Sequence, residues 1–191
     1  MKASVTTRLK EHPIRCLVIQ TGKLGDTVQS LMAVRAAKQL YPQLEIHFMT
    51  RDRHADVVNR VSWIDKVHVC PVQEILEPML SPGDGKGVSV SRTAKWLGSF
   101  VQEKWDVVVN WTFSESSSYL TSIFPTKHRL GYTRGVDFAS ACSDDWSLYV
   151  EGILQDGIRQ NIHLTDIFTT QLLTLLQINY GQPGGYQGQS V

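Results

Sequence analysis

The sequence is poor in cysteine. Cys16, Cys70 and Cys142 are its three, with no CxxC spacing among them. An odd number of isolated cysteines excludes a disulfide framework and reads as free thiols in a reducing compartment. A surplus of charge is lacking too. Nineteen Lys and Arg stand against eighteen Asp and Glu, a formal net charge of +1. That balance gives no field for nucleic acid or an acidic membrane, so any basic site must be local. No window approaches the ~18 consecutive apolar residues that a membrane helix needs. The opening "MKASVTTRLKEHPIR" has basic residues but no apolar h-region, which excludes a secretory signal. Clusters of His, Cys, Asp and Glu at metal-ligand spacing are lacking as well, so no metal site is expected. What is present is ordinary: 191 residues, 42% hydrophobic and 19% charged, as in a soluble domain large enough for one sizeable core.

The order of elements is more informative. Residues 1–13 read as a disordered arm. "CLVI" (16–19) is an unalternating apolar run, as expected of a strand buried on both faces. From Thr27 to Leu40 the pattern turns helical, with Val28, Leu31, Met32, Ala36 and Leu40 on the expected core face. Pro42 ends that helix through its restriction on Tyr41. "EIHFMT" (45–50) and "KVHVC" (66–70) read as strands on either side of a short helix, "HADVVNRV". Residues 78–88 carry Pro and Gly and read as a mobile loop. A second helix follows, with Val90, Ala94, Leu97 and Val101 on one side. "WDVVVNW" (105–111) is the most persuasive strand, then "SSSYLTSIF" a helix and "HRLGY" (128–132) a strand. Residues 133–160 have no clean period. Asn161 looks like the cap of a helix over 162–176, with Leu164, Ile167, Phe168, Leu172 and Leu175 inward. Residues 177–191, rich in Gly and Gln, read as a flexible tail or the start of a further domain.

Alternating strands and helices predict an α/β fold, a Rossmann-like parallel sheet with flanking helices and right-handed crossovers. Such sheets take ligands at the carboxyl ends of their strands, where the strand order reverses. "QTGKLGD" leaves the first strand at such an end. It fits neither familiar phosphate loop. A P-loop would need glycine at Leu17 and Ser or Thr at Leu24, and the dinucleotide fingerprint needs a third glycine. Gly22-x-x-Gly25 leaves only the general property that glycines and a helix N-terminus let an anion approach the backbone. Asp26 has two compatible readings. It is a favoured residue type for a helix cap, and a carboxylate facing the cleft could act as a general base on a substrate hydroxyl. Lys23 is a solvated loop lysine or an anion ligand. Arg51, Arg53 and His54 follow the second strand and form either a solvated basic turn or a site for an acidic sugar. Ser114 and Glu115 follow the strongest strand and are candidates for cleft contact. Tyr132 and Arg134 are candidates for acceptor contact, though structural roles lead, His47 and His68 read as sheet-face residues, and His163 as a packed or capping histidine.

The stretch from Leu17 to Val67 resembles the ADP-heptose:lipopolysaccharide heptosyltransferases of glycosyltransferase family 9. The resemblance is carried by a Thr21-x-x-x-Gly25-Asp26 turn, a helix ending at "YP" and the later "WIDKV". "WDVVVNWTFSESSSYLTSIFPTKHRLGY" and "RQNIHLTDIFTTQLL" extend it over about residues 14–176. It implies the N-terminal, acceptor-side half of a GT-B fold, over residues 14–176, and inverting transfer of heptose or a related sugar from an ADP-sugar to a lipopolysaccharide-type acceptor. Asp26 would be the general base. Thr21, Gly22, Lys23, Gly25 and Thr27 would bind substrate, joined by Ser114, Glu115, Arg51 and Arg53. No metal or other cofactor is implied, ADP-heptose being a substrate. The implied partners are a nucleotide sugar, a glycolipid or oligosaccharide acceptor and a C-terminal donor domain or partner subunit. The implied location is cytoplasmic, with room for peripheral contact at the inner membrane face. Met32 stands where that family usually has proline, and residues 110–118 lack a lysine that some members carry. The chain ends near the family's domain boundary, so the activity of this part alone is left open. A non-catalytic sugar- or nucleotide-binding module, or a subunit of a split transferase, is the alternative. A flavodoxin-type signalling domain fits less well, because "VVVNW" offers asparagine in place of a phospho-acceptor aspartate.

Overall fold

The computed structural model describes residues 13–80, 85–100, 102–157 and 161–183. Six strands form one sheet in the order β3-β2-β1-β4-β5-β6. They are β1 (Ile14–Ile19), β2 (Leu44–Arg51), β3 (Lys66–Cys70), β4 (Trp105–Asn110), β5 (Thr126–Arg134) and β6 (Ser140–Cys142). The first five run parallel, and β6 pairs antiparallel with β5. Strand order reverses between β1 and β4, which places the switch point there.

Helices cover both faces. On one side, Cys16 and Val18 of β1 join Phe48, Val107 and Val109 in a core closed by α1 (Leu24–Leu40) and α7 (Leu164–Tyr180). On the other, Leu17 and Ile19 join Met49, Val108, Phe100 and Phe124 beneath α4 (Gly85–Gly98) and α5 (Glu115–Ile123). Successive β1 residues thus enter opposite cores, which is why the run does not alternate. The remaining helices are α2 (Asp52–Asn59), α3 (Val72–Leu76) and α6 (Asp145–Asp156), with a 3₁₀ turn at Glu77–Leu80.

Several expectations need correction. Helix α1 buries Thr27, Ser30, Leu31, Ala33, Val34 and Ala37, while Val28, Met32 and Leu40 are exposed. The small residues face inward because the helix is wedged between the sheet and α7, where larger side chains would hold it off. Helix α4 likewise exposes Val90 and Ala94 and turns Ser89 and Trp96 inward; Val101 lies outside the described residues. Part of the expected loop 78–88 is ordered into the 3₁₀ turn and the start of α4, and residues 81–84 lie outside the described residues. Helix α7 is capped by the backbone of exposed His163, not Asn161, and runs past residue 176 to Tyr180. The expected arm over 1–12 and the tail over 184–191 lie outside the described residues. The unreadable stretch 133–160 contains β6 and α6, whose N-cap Asp144 accepts from the Ser147 amide at 3.0 Å.

Candidate active site

A polar network ties the ends of β1 and β4 together across the switch point. Gln20, 1% exposed, donates through Nε2 to the Trp111 carbonyl at 3.0 Å and to Ser30 Oγ at 3.3 Å. Its Oε1 accepts from the Gly22 amide at 2.9 Å and from Thr112 Oγ1 at 3.1 Å. The Thr21 amide donates to Thr112 Oγ1 at 2.7 Å. Thr112 in turn donates its amide to Asn110 Oδ1 at 2.9 Å, and Asn110 Nδ2 donates to the Tyr132 carbonyl at 2.7 Å. Each buried polar group finds a partner, so the loop leaving β1 is fixed before any ligand arrives.

Asp26 is not the N-cap of α1. Lys23 holds that position, and Asp26 sits three residues on, with Oδ2 accepting from the Lys23 amide at 3.1 Å. This is the carboxylate half of a capping box. The other carboxylate oxygen has no hydrogen-bond partner among the described residues. Gly22 makes the approach feasible, because a Cβ there would lie 2.7 Å from Gln20 Oε1 and 3.0 Å from Asp26 Oδ2.

The cleft above this network has a volume of about 640 Å³. Its floor and basic rim are Thr21, Gly22, Lys23, Asp26, Arg51, Arg53 and Ser114. Among the described residues, Asp26 is the only carboxylate on its wall, and none of the three basic side chains makes an ion pair. Nε of Arg51 and Oγ1 of Thr50 at the end of β2, and Nδ1 of His54 in α2, are buried without a partner among the described residues. Burial, then the charges of Arg53 and Arg51, hold His54 below the usual histidine range. An apolar wall faces the rim, built from Val150, Ile153 and Leu154 of α6 with Leu164 and Phe168 of α7.

Three expected site residues lie elsewhere. Thr27 is fully buried, with its hydroxyl on the Lys23 carbonyl at 3.1 Å, because its position in the first turn of α1 faces the sheet. Gly25 is exposed in the same turn and is absent from the cleft wall. Glu115 turns away to pair with Arg134 and Ser140. Ser114 reaches the cleft while also capping α5. Arg134 stacks on Tyr119 at 3.7 Å, and Tyr132 packs near Phe113, both structural. Gln20, Thr112 and the α6 wall escaped the sequence reading. The only available signal for the first two was a polar residue at each end of a strong apolar strand. Among the described residues, no group of three or more His, Cys, Asp and Glu is arranged to hold a metal. No described helix is long and apolar enough to cross a membrane.

No protein-family model matches the sequence, and no curated protein does. Solved structures do match in shape. The E. coli heptosyltransferase WaaC with ADP-2-deoxy-2-fluoro heptose superposes with a TM-score of 0.60 at 15% identity, over 84% of this chain and 48% of that one. The fold is that of about half of a heptosyltransferase structure. A family 9 glycosyltransferase from Veillonella parvula DSM 2008 superposes with a TM-score of 0.58 at 15% identity, over 92% of this chain and 45% of that one. The chain therefore spans about half the length of the heptosyltransferase-fold structures it matches.

Proposed function

We propose that the chain is the acceptor-side half of an inverting, family 9-type glycosyltransferase with Asp26 as general base. The observation that carries this reading is the Asp26 carboxylate itself. Among the described residues, one oxygen is anchored to the Lys23 amide and the other has no partner, beside three cations that make no ion pair. An acceptor hydroxyl in the cleft would give its proton to the free oxygen as its own oxygen attacks the anomeric carbon. The anomeric C–O bond to the nucleotide diphosphate breaks on the opposite side, and the diphosphate leaves with that electron pair. Lys23, Arg51 and Arg53 would neutralise acidic groups on the acceptor or the diphosphate. Heptose or a related sugar from an ADP-sugar, and a lipopolysaccharide-type acceptor, are the substrates that the sequence resemblance favours. A cytoplasmic site at the inner membrane face, a donor-binding half on this or another chain and no cofactor beyond the sugar nucleotide belong to the same proposal.

The Lys23 bond also supports a second reading, in which Asp26 only caps α1 and the cleft binds a sugar or nucleotide without catalysis. Asp26→Asn separates the two, because an asparagine Oδ1 still accepts from Lys23 while losing basicity. With the donor half of a family 9 enzyme supplied in trans, sugar transfer should fall by about a hundredfold or more in Asp26→Asn. Unfolding midpoint and acceptor affinity should hardly move. Transfer that survives the substitution unchanged would remove Asp26 from the chemistry.

A further inference from the structure

A second cavity of about 410 Å³ opens beside the cleft, between α3, α4 and α5. Its walls include Ile75, Trp96, Leu97, Leu120 and Ile123, and its size lies within the range of small-molecule sites. The Trp96 indole is held by a 2.9 Å bond to the Val69 carbonyl, so this wall is fixed. Cys70 also lines the pocket, and burial pushes its thiol up to about 11, so it stays neutral. Among the described residues, Arg51 is the only charged one on the lining, and together with Thr21 it also lines the cleft. The Arg51 guanidinium thus stands at the border between a polar cleft and an apolar pocket, with its buried Nε unpartnered among the described residues. A buried donor on a cation calls for an anion, and the walls beyond it call for carbon.

We propose that this pocket receives the apolar body of an acidic amphiphile whose phosphate or carboxylate pairs with Arg51. Resting on the reading of the cleft as an acceptor site, it makes the acceptor class one in which an anionic group joins the sugar to an aliphatic or aromatic portion. The anion sits at Arg51, the sugar hydroxyl extends toward Asp26, and the apolar portion enters between α4 and α5.

The test is calorimetric titration with decyl phosphate and decanoate below their micelle concentrations, against methyl phosphate and neutral decyl glucoside. Decyl phosphate should bind at least about thirtyfold more tightly than methyl phosphate, as burial of several methylenes requires. Decanoate in its place distinguishes a carboxylate ligand from a phosphate one; either, binding well above its short-chain counterpart, supports the proposal. Leu97→Glu, and separately Ile123→Glu, should abolish the chain-length gain while circular dichroism and methyl phosphate binding stay as in the parent. Arg51→Gln should bring decyl phosphate down to the level of decyl glucoside. Equal affinity for decyl and methyl compounds, or a gain that survives both glutamate variants, would overturn the proposal. Asp26→Asn should bind decyl phosphate normally. A chain-length gain without Asp26-dependent transfer therefore sinks only the catalytic reading, and transfer without the gain sinks only this one.

Discussion

At position 131 there is no room for a side chain. Gly131 has φ +97°, and a Cβ there would lie 1.9 Å from the Asn110 carbonyl oxygen across the β4–β5 pair. Gly131→Ala combines left-handed strain with a backbone clash, and a loss of roughly 3 kcal/mol or more is expected by chemical denaturation. Gly25→Ala, with nothing within 4 Å of its would-be Cβ, should leave the unfolding midpoint nearly unchanged and serves as the control. The thiols make a second test at this scale. Burial lifts Cys16 and Cys142 to about 12 and Cys70 to about 11, with the Asp106 charge adding to Cys16 and the Glu151 contact to Cys142. Alkylation by iodoacetamide at pH 7.5 should therefore be far slower in the folded chain than in urea. Asp26, Lys23 and the arginines were legible because charged residues beside a strand end are conspicuous. Gln20 and Thr112 were not. Their importance lies in mutual hydrogen bonds across about ninety residues of sequence, and no local pattern encodes that pairing.

Elements were legible where hydrophobic period and helix or strand length agreed, and misread in orientation where they did not. The period of α1 was counted on its large side chains, whereas the close approach to α7 selects small ones. Helix α6 was missed because one face meets β5 and β6 while Val150, Ile153 and Leu154 look into the cleft, leaving no single apolar stripe. Beside the apolar packing of α7, a polar cluster ties α6 and α7 to the sheet. The Trp111 indole, stacked on Phe168 at 4.4 Å, donates to Gln171 Oε1 at 2.6 Å. Gln171 Nε2 bonds both Asp144 oxygens at 2.9 Å and Ser147 Oγ at 2.6 Å. Gln171→Leu leaves the indole N–H unpaired and strips a donor from Asp144, so a loss of roughly 2–4 kcal/mol is expected. The near-ultraviolet circular dichroism of Trp111 should change with it.

For the whole molecule, the parallel sheet was legible in the βαβ alternation, the order of its strands was not, and the antiparallel strand β6 escaped because three residues carry no period. A buried histidine on β3 makes stability depend on pH. His68 Nε2 lies 2.8 Å from His47 Nδ1, whose ring bonds Glu45 on its other side at 2.7 Å. Burial first, then the charges of His47 and Lys66, push His68 down to about 4 from an ordinary 6.5. As pH falls from 6.5 to 4 the unfolded chain takes up a proton that the folded chain refuses, so stability declines through that window, by roughly 3 kcal/mol. His68→Gln, whose amide can still donate to His47, should flatten that decline in denaturation curves taken at successive pH values.

The indole bond of Trp96 to the Val69 carbonyl has a consequence for self-association. β3 is one of the sheet's two outer strands, and a helix has already claimed one of the acceptors that a foreign strand would need for docking there. Another chain could extend the ladder there only by first displacing that indole, so crowding should disfavour edge-to-edge pairing through β3.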